Sequence, residues 1–359
     1  MKKFLAAAII AGNLFFMPTS HAEIKTYVGT DEYIMNEFET IDIAKQRAKQ
    51  KAERNAQEQA GVYISSYSET RDLELVSDEI ISIVCGILSV VDVKYDVTPL
   101  DDVNGFSIRA TVKANIETDD VNKWLEKSSR EKSTIVLQNK EMRQAIANQD
   151  ATISELKEQI KRLTADGKLS GKRERDKITQ DVAANDKTFL ASQKLEEAQK
   201  NFYNHNYDEA IKLCDESIAL EPTARAYCGR GGAYGVLKNF EQTIEDCTQA
   251  IKLDPNYAMA YNNRGAAYMN LNNYQQAMTD INKAIQCDST LALAYNNRGA
   301  LYLMAGDINQ AFRDANKAIE LDPKLDLPYM IRGTCYQMAG NLYGAQSDFE
   351  KAKELGYKG

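Results

Sequence analysis

Histidine, tryptophan and proline are scarce in this chain of 359 residues, which holds two, one and six of them. A chain cut after Ala22 loses His21 and keeps only His205. Catalytic arrangements built on an imidazole base, and most zinc sites, have almost no material here. An enzyme is not expected, and neither a cofactor nor a metal is called for. Long apolar runs are also missing beyond the first residues. The most apolar later stretch, residues 80 to 93, is broken by Gly86 and Asp92. It is too short for a membrane helix, which needs roughly 20 residues. Positive charge is in deficit, with 44 Lys and Arg against 52 Asp and Glu and a net charge of −8. Such a surface repels phosphate backbones, so nucleic acid is excluded as a partner. The six cysteines follow no disulfide framework and no metal-knuckle spacing. Buried apolar thiols are the expectation, with Cys214 and Cys228 the one nearby pair to inspect.

What is present starts with a leader. Lys2 and Lys3 precede an apolar run from Phe4 to Met17, interrupted by Asn13, and then come Pro18 and a small-x-small site, Ser20-His21-Ala22. This pattern predicts a secretory signal over residues 1–22 and a mature chain from Glu23. No cysteine lies near that site, the first being Cys85, which argues against a lipid anchor. A periplasmic or secreted protein without a membrane span follows. Hydrophobic residues make up 43% of the chain, enough for packed cores in a multidomain protein.

Residues 23–127 read as an α+β domain. Alanines at 44, 48, 52, 56 and 60 give one small-residue face to a helix from Ile41 to Ala60, with Gly61 as its stop. Val62 to Tyr67 reads as a short strand and Ser77 to Leu88 as a second helix. Val91 to Thr98 alternates, as do Phe106, Ile108, Ala110, Val112, Ala114 and Ile116, with Asp101, Asp102, Asn104 and Gly105 as turn chemistry between them. The pair predicts an antiparallel hairpin. The alanine-rich helix running into "QAGVYISSYSE", then "LVSDEIIS" and "CGIL", then the hairpin, resembles the N-terminal domain of flagellar assembly protein T and related envelope lipoproteins. That resemblance implies a role in flagellar or outer-envelope assembly, the alternative reading of function, and no enzyme activity.

Residues 128–165 change to a period of seven. Asn139, Ile146, Ile153 and Ile160 form one column, and Ile135, Met142, Gln149, Leu156 and Leu163 the other. Isoleucine in the first and leucine in the second favour a parallel coiled coil and a homo-oligomer, with Asn139 setting register. The competing reading is a single amphipathic helix folded back on its own chain. Asp166 to Lys172 (DGKLSGK) reads as a flexible break opening a linker over 166–186.

From residue 187 onward the chain repeats itself. "AYNNRGAAYM" at 260 and "AYNNRGALYL" at 294 are thirty-four residues apart, and Arg-Gly recurs at Gly231, Gly265, Gly299 and Gly333. A tyrosine stands four residues before each glycine and another three after it. Ala277, Ala311 and Ala345, and then Ala250, Ala284, Ala318 and Ala352, mark the second helix of each unit. The pattern resembles the tetratricopeptide repeat, with Tyr for Trp and Arg for Leu before the glycine. That resemblance implies an all-α solenoid of helix-turn-helix units over 187–359, with five repeats when a weaker first unit from Ala191 to Thr223 is counted. The glycines stand where two helices of one unit cross closely, a structural role. The arginine column is expected to pair with Asp246, Asp280, Asp314 and Asp348, which recur in the second helix. Gly306, Gly340 and Asn272 stand where the first helix must end in a left-handed turn.

Carried residue by residue, the resemblance puts Asn262, Asn263, Met269, Asn296, Asn297, Leu303, Met330 and Met338 on a concave groove for an extended segment of a partner protein. Carboxamides bond both groups of a peptide backbone, and methionines adapt to varied side chains. The lysines and arginine of the carboxylate clamp that some such repeats use are replaced around Asn263 by Cys228, Gly232, Leu293 and Asn297. The expected function is that of an exported adaptor or scaffold.

Overall fold

The computed structural model describes residues 23–69, 75–100, 105–125, 129–165 and 172–357. The leader, most of the predicted hairpin turn and nearly all of DGKLSGK therefore lie outside the described residues.

The head holds a three-stranded antiparallel sheet of β1 (Ile24–Met35), β2 (Ser89–Pro99) and β3 (Phe106–Glu117) in the order β1-β3-β2. Every second residue of β3 from Ile108 to Ile116 is buried. Against that face lies α1 (Ile41–Glu69), whose alanine ladder is fully buried. Gly29 on β1 allows the approach: a Cβ there would collide with the Ala52 carbonyl oxygen. Helices α2 (Ser77–Ile87) and α3 (Thr118–Leu125) close the domain through Ile83, Val84, Val121 and Trp124.

Two predictions for the head need correction. α1 does not stop at Gly61, and Val62 to Tyr67 is helical rather than a strand. Ile64 continues the buried ladder one turn beyond Ala60, and that burial outweighs the glycine's weak helix propensity. In addition, the first strand, β1, was not anticipated.

Helix α4 (Ser129–Ala165) spans the predicted coil as one helix. Its seam is closed within the chain: Ile160 packs with Ile178 and Val182, and Met142 with Leu195 and Ala198. Those partners belong to α5 (Lys172–Tyr203), so most of the predicted linker 166–186 is helical, and the repeat domain begins within that helix. The same-chain reading of the heptads describes the structure, and the seam is not left open for a second copy.

A buried polar cluster fixes the head to α5. Arg47 bonds the Glu39 carboxylate and donates to Asn185 Oδ1 at 2.7 Å and Asp186 Oδ1 at 2.9 Å. Tyr33 also donates to Glu39, and Lys157 of α4 lies 3.6 Å above the Tyr33 ring. Burial pulls the Lys157 ammonium down to about 8.

Beyond α5 come α6 (Tyr207–Leu220), α7 (Ala224–Val236), α8 (Phe240–Leu253), α9 (Ala258–Asn270), α10 (Tyr274–Cys287), α11 (Ala292–Met304), α12 (Ile308–Leu321), α13 (Leu327–Met338) and α14 (Leu342–Glu354). They form hairpins α5–α6, α7–α8, α9–α10, α11–α12 and α13–α14, each packed on the next. Thr223, Asn239, Asn273, Asp307 and Asn341 cap their helices through side-chain acceptors. Gly306 and Gly340 take positive φ, as predicted, with Asn272 and also His205 and Lys238 at the equivalent turns.

Candidate protein-binding groove

Successive first helices of the hairpins, α7, α9, α11 and α13, lie against one another, while successive second helices stand farther apart. The stack therefore bends with its first helices inside.

The arginine column pairs as its period predicts. Arg264 grips Asp280 through Nε at 2.7 Å and Nη2 at 2.8 Å, and Arg298 grips Asp314 at the same two distances. Arg230 holds Asp246 at 2.9 and 2.6 Å, and Arg332 holds Asp348 at 2.8 and 2.7 Å. The third nitrogen reaches the preceding unit. Nη1 donates to Thr248 at 3.0 Å from Arg264, to Asn282 at 2.8 Å from Arg298 and to Asn316 at 2.9 Å from Arg332, and Arg230 bonds Asp215. Each guanidinium also lies 5.4 to 5.7 Å from the ring of the tyrosine three residues earlier. The column is a set of staples between neighbouring units, and its charge is already used.

Of the predicted groove asparagines, Asn262, Asn296 and Asn297 are buried. They form a ladder across the inner helices. Asn297 Nδ2 donates to Asn262 Oδ1 at 2.9 Å, Asn262 Nδ2 to Asn263 Oδ1 at 3.3 Å, and Asn263 Nδ2 to Cys228 Sγ at 3.6 Å. Asn296 Nδ2 joins through Asn297 Oδ1 at 3.3 Å. These amides are thus bonded within the arm: Asn297 to Asn262 and Asn263 to Cys228 link successive units, and the other two bonds join neighbours on one helix. Met269 and Leu303 are half-buried in the core between helices. Met330 is half-buried as well, and its carbonyl accepts from Thr334 at 2.8 Å. Among the predicted residues Met338 stays open at 61% exposure, beside Met304 at 60%.

The first part of the groove is covered by the chain itself. Leu137 of α4 packs against the cluster that contains Cys228 and Met259. Glu141 accepts the Tyr257 hydroxyl at 2.9 Å, and its backbone carbonyl accepts Arg225 Nη2 at 2.7 Å. Burial pushes the Glu141 carboxyl up, while the Tyr257 hydroxyl and the Arg225 charge act in the opposite sense. Burial likewise holds the Tyr257 phenol well above its usual range, so it remains a donor. The head adds a tie farther along the arm, where Lys324 Nζ reaches both Glu79 oxygens at 2.8 and 2.9 Å. Sequence reasoning missed this seat, because Arg225 and Tyr257 stand at helix starts with no signal for their partner. Beyond α4, the inner helices of the fourth and fifth hairpins leave Met304 and Met338 exposed. Cys214, Cys228 and Cys247 line the arm's interior as buried free thiols.

The geometry defines a class, a curved stack of helical hairpins. The model of the tetratricopeptide repeat matches residues 224–257, 258–291 and 292–325, so the chain carries tetratricopeptide repeats. DnaJ homolog subfamily C member 7 of Mus musculus is 39% identical over 72 residues, covering 19% of this chain and 15% of that protein. The mitochondrial import receptor subunit TOM70 of Homo sapiens is 28% identical over 137 residues, covering 35% of this chain and 22% of that protein. The chain thus spans a minor part of the curated relatives it matches. A thermophilic TPR protein of Thermus thermophilus is similar in structure, with a TM-score of 0.42, 18% identity and coverage of 46% of this chain and 91% of that one.

Proposed function

We propose that the protein is an exported, non-enzymatic adaptor whose repeat arm holds an extended segment of a partner protein on the inner face of its fourth and fifth hairpins. One observation carries this reading: Met304 and Met338 project at 60% and 61% exposure from successive inner helices, while the amides and arginines around them are used internally. Exposed methionines give an adaptable apolar surface without fixing one sequence. Among the described residues, no helix is long and apolar enough to cross a membrane. The closed seam of α4 supports a single-copy adaptor, and the leader pattern supports export, which N-terminal sequencing from Glu23 would bear out.

A photo-crosslinking residue at 304 or 338, compared with one at Gln286 on the outer helix α10, tests the reading in cells. Discrete protein adducts are expected from the two inner positions only. Adducts of equal yield from Gln286, or none from either inner position, would contradict it.

A further inference from the structure

The first part of the groove already shows what it accepts, because an α-helix of this chain lies in it. Leu137, Glu141 and Met142 stand on one side of α4 and meet the inner surfaces of the first three hairpins. The fit is incomplete. Arg225 Nε is buried without a hydrogen-bond partner, and the Glu141 carboxylate oxygen Oε2 stands 3.9 Å from it, beyond hydrogen-bond reach. Beneath the same contact lies a void of about 50 Å³ bordered by Gly229, Gly232 and Cys214. The glycines leave that space because they bring no side chain to fill it.

We infer that this part of the groove is a binding site for an acidic amphipathic helix of a partner protein, and that α4 is its resident occupant, displaced when such a helix binds. The inference rests on the reading of the arm's inner face as a binding surface. Tethering lets a mediocre contact persist, because α4 meets the groove at an effective concentration on the millimolar scale. A helix arriving from another chain lacks that advantage and must win by better contacts. The structure shows where they are available. A carboxylate facing Arg225 fork to fork satisfies Nε together with Nη2, a bond stronger than the single carbonyl contact α4 makes. A larger apolar side chain in place of Met142 fills the void and gains dispersion contacts. The Tyr257 hydroxyl adds a second donor to the same carboxylate and favours acidic over neutral helices.

The test uses the full chain and a fluorescent peptide copying residues 133–150. Leu137→Asp loosens α4 while leaving every residue of the arm itself unchanged. The peptide is expected to bind this variant at least tenfold more tightly than it binds wild type. Binding should fall at least tenfold when the peptide carries Glu141→Gln, or when the protein also carries Arg225→Met. Equal affinity for wild type and Leu137→Asp, or indifference to Arg225→Met, overturns the inference. Should Leu137→Asp fail to fold, hydrogen exchange on wild type decides. Saturating peptide must raise exchange at residues 135–146 and leave 153–160 unchanged, and no rise overturns the inference. Crosslinks from positions 304 and 338 report separately on the open hairpins, so a failed peptide experiment with those crosslinks intact removes this inference alone.

Discussion

Gly265 and Gly299 occupy the same place in consecutive repeats, yet their surroundings differ. A Cβ at Gly265 would lie 2.7 Å from Ile281 Cγ1 and 3.3 Å from the Ala277 carbonyl oxygen. At Gly299 the nearest atoms, the Ala311 oxygen and Asp314 Cβ, stand at 3.5 Å, an ordinary contact. Gly265→Ala should therefore destabilise the arm by about 1–3 kcal/mol through overpacking of a buried isoleucine. Gly299→Ala should be neutral or stabilising by up to about 1 kcal/mol through helix propensity. Urea denaturation of the two variants checks the contrast, and equal losses would refute it. The sequence carried the glycine column but not this difference, which depends on what each second helix turns inward. The arginine–aspartate staples were legible because both partners keep one period. The asparagine ladder was not, since an amide looks the same whether it faces a ligand or another amide. The ladder also ends for a legible reason: thirty-five residues separate Asn262 from its donor Asn297, and the equivalent donor for Asn296 is Ile331. Asn296 Oδ1 is accordingly buried without a partner.

Among the elements, α4 shows how a heptad pattern underdetermines its partner. Ile135, Met142, Ile153 and Ile160 are buried as a coil seam requires, yet Met142 packs against α5 and the arm, and Ile160 against α5. A period of seven states that one stripe will be dry and leaves open which surface dries it. Of the two polar seam residues, the pattern gives Asn139 the role of setting register with a second strand. Instead, Asn139 Nδ2 and Gln149 Nε2 are buried with no hydrogen-bond partner. Gln149→Leu should raise stability by about 1 kcal/mol, because a buried unsatisfied donor is removed at similar volume. Thermal unfolding measures this, and a lowered midpoint would show that Gln149 serves a bond the structure lacks. In the head, β1 escaped notice because its alternation is mixed: Ile24, Val28 and Ile34 are exposed while Tyr33 is buried. Helix α1 is legible by its alanines, and its end is not, because Ile64, buried one turn beyond the last alanine, carries the helix past Gly61.

At the scale of the whole molecule, the arm was legible and its coverage by the rest of the chain was not. Thirty-four-residue periodicity fixes neighbour-on-neighbour stacking, because each unit contacts only the next. The placement of head and α4 rests on contacts between residues far apart in sequence. Glu79 meets Lys324 across 245 residues and Glu141 meets Tyr257 across 116, and neither pair belongs to any pattern. The consequence is an arm with a covered beginning and an open end. The native methionines report on both without mutation, since exposed thioethers oxidise far faster than buried ones. Met304 and Met338 are 60% and 61% exposed, whereas Met142 on the groove side of α4 and Met259 in the inner core are each 5% exposed. Timed peroxide oxidation of the full-length protein, read by mass spectrometry, should convert Met304 and Met338 to sulfoxide at least tenfold faster than Met142 and Met259. Comparable rates at Met142 and Met304 would mean that α4 does not sit in the groove, or that the inner face of the later hairpins is closed, and would contradict the account.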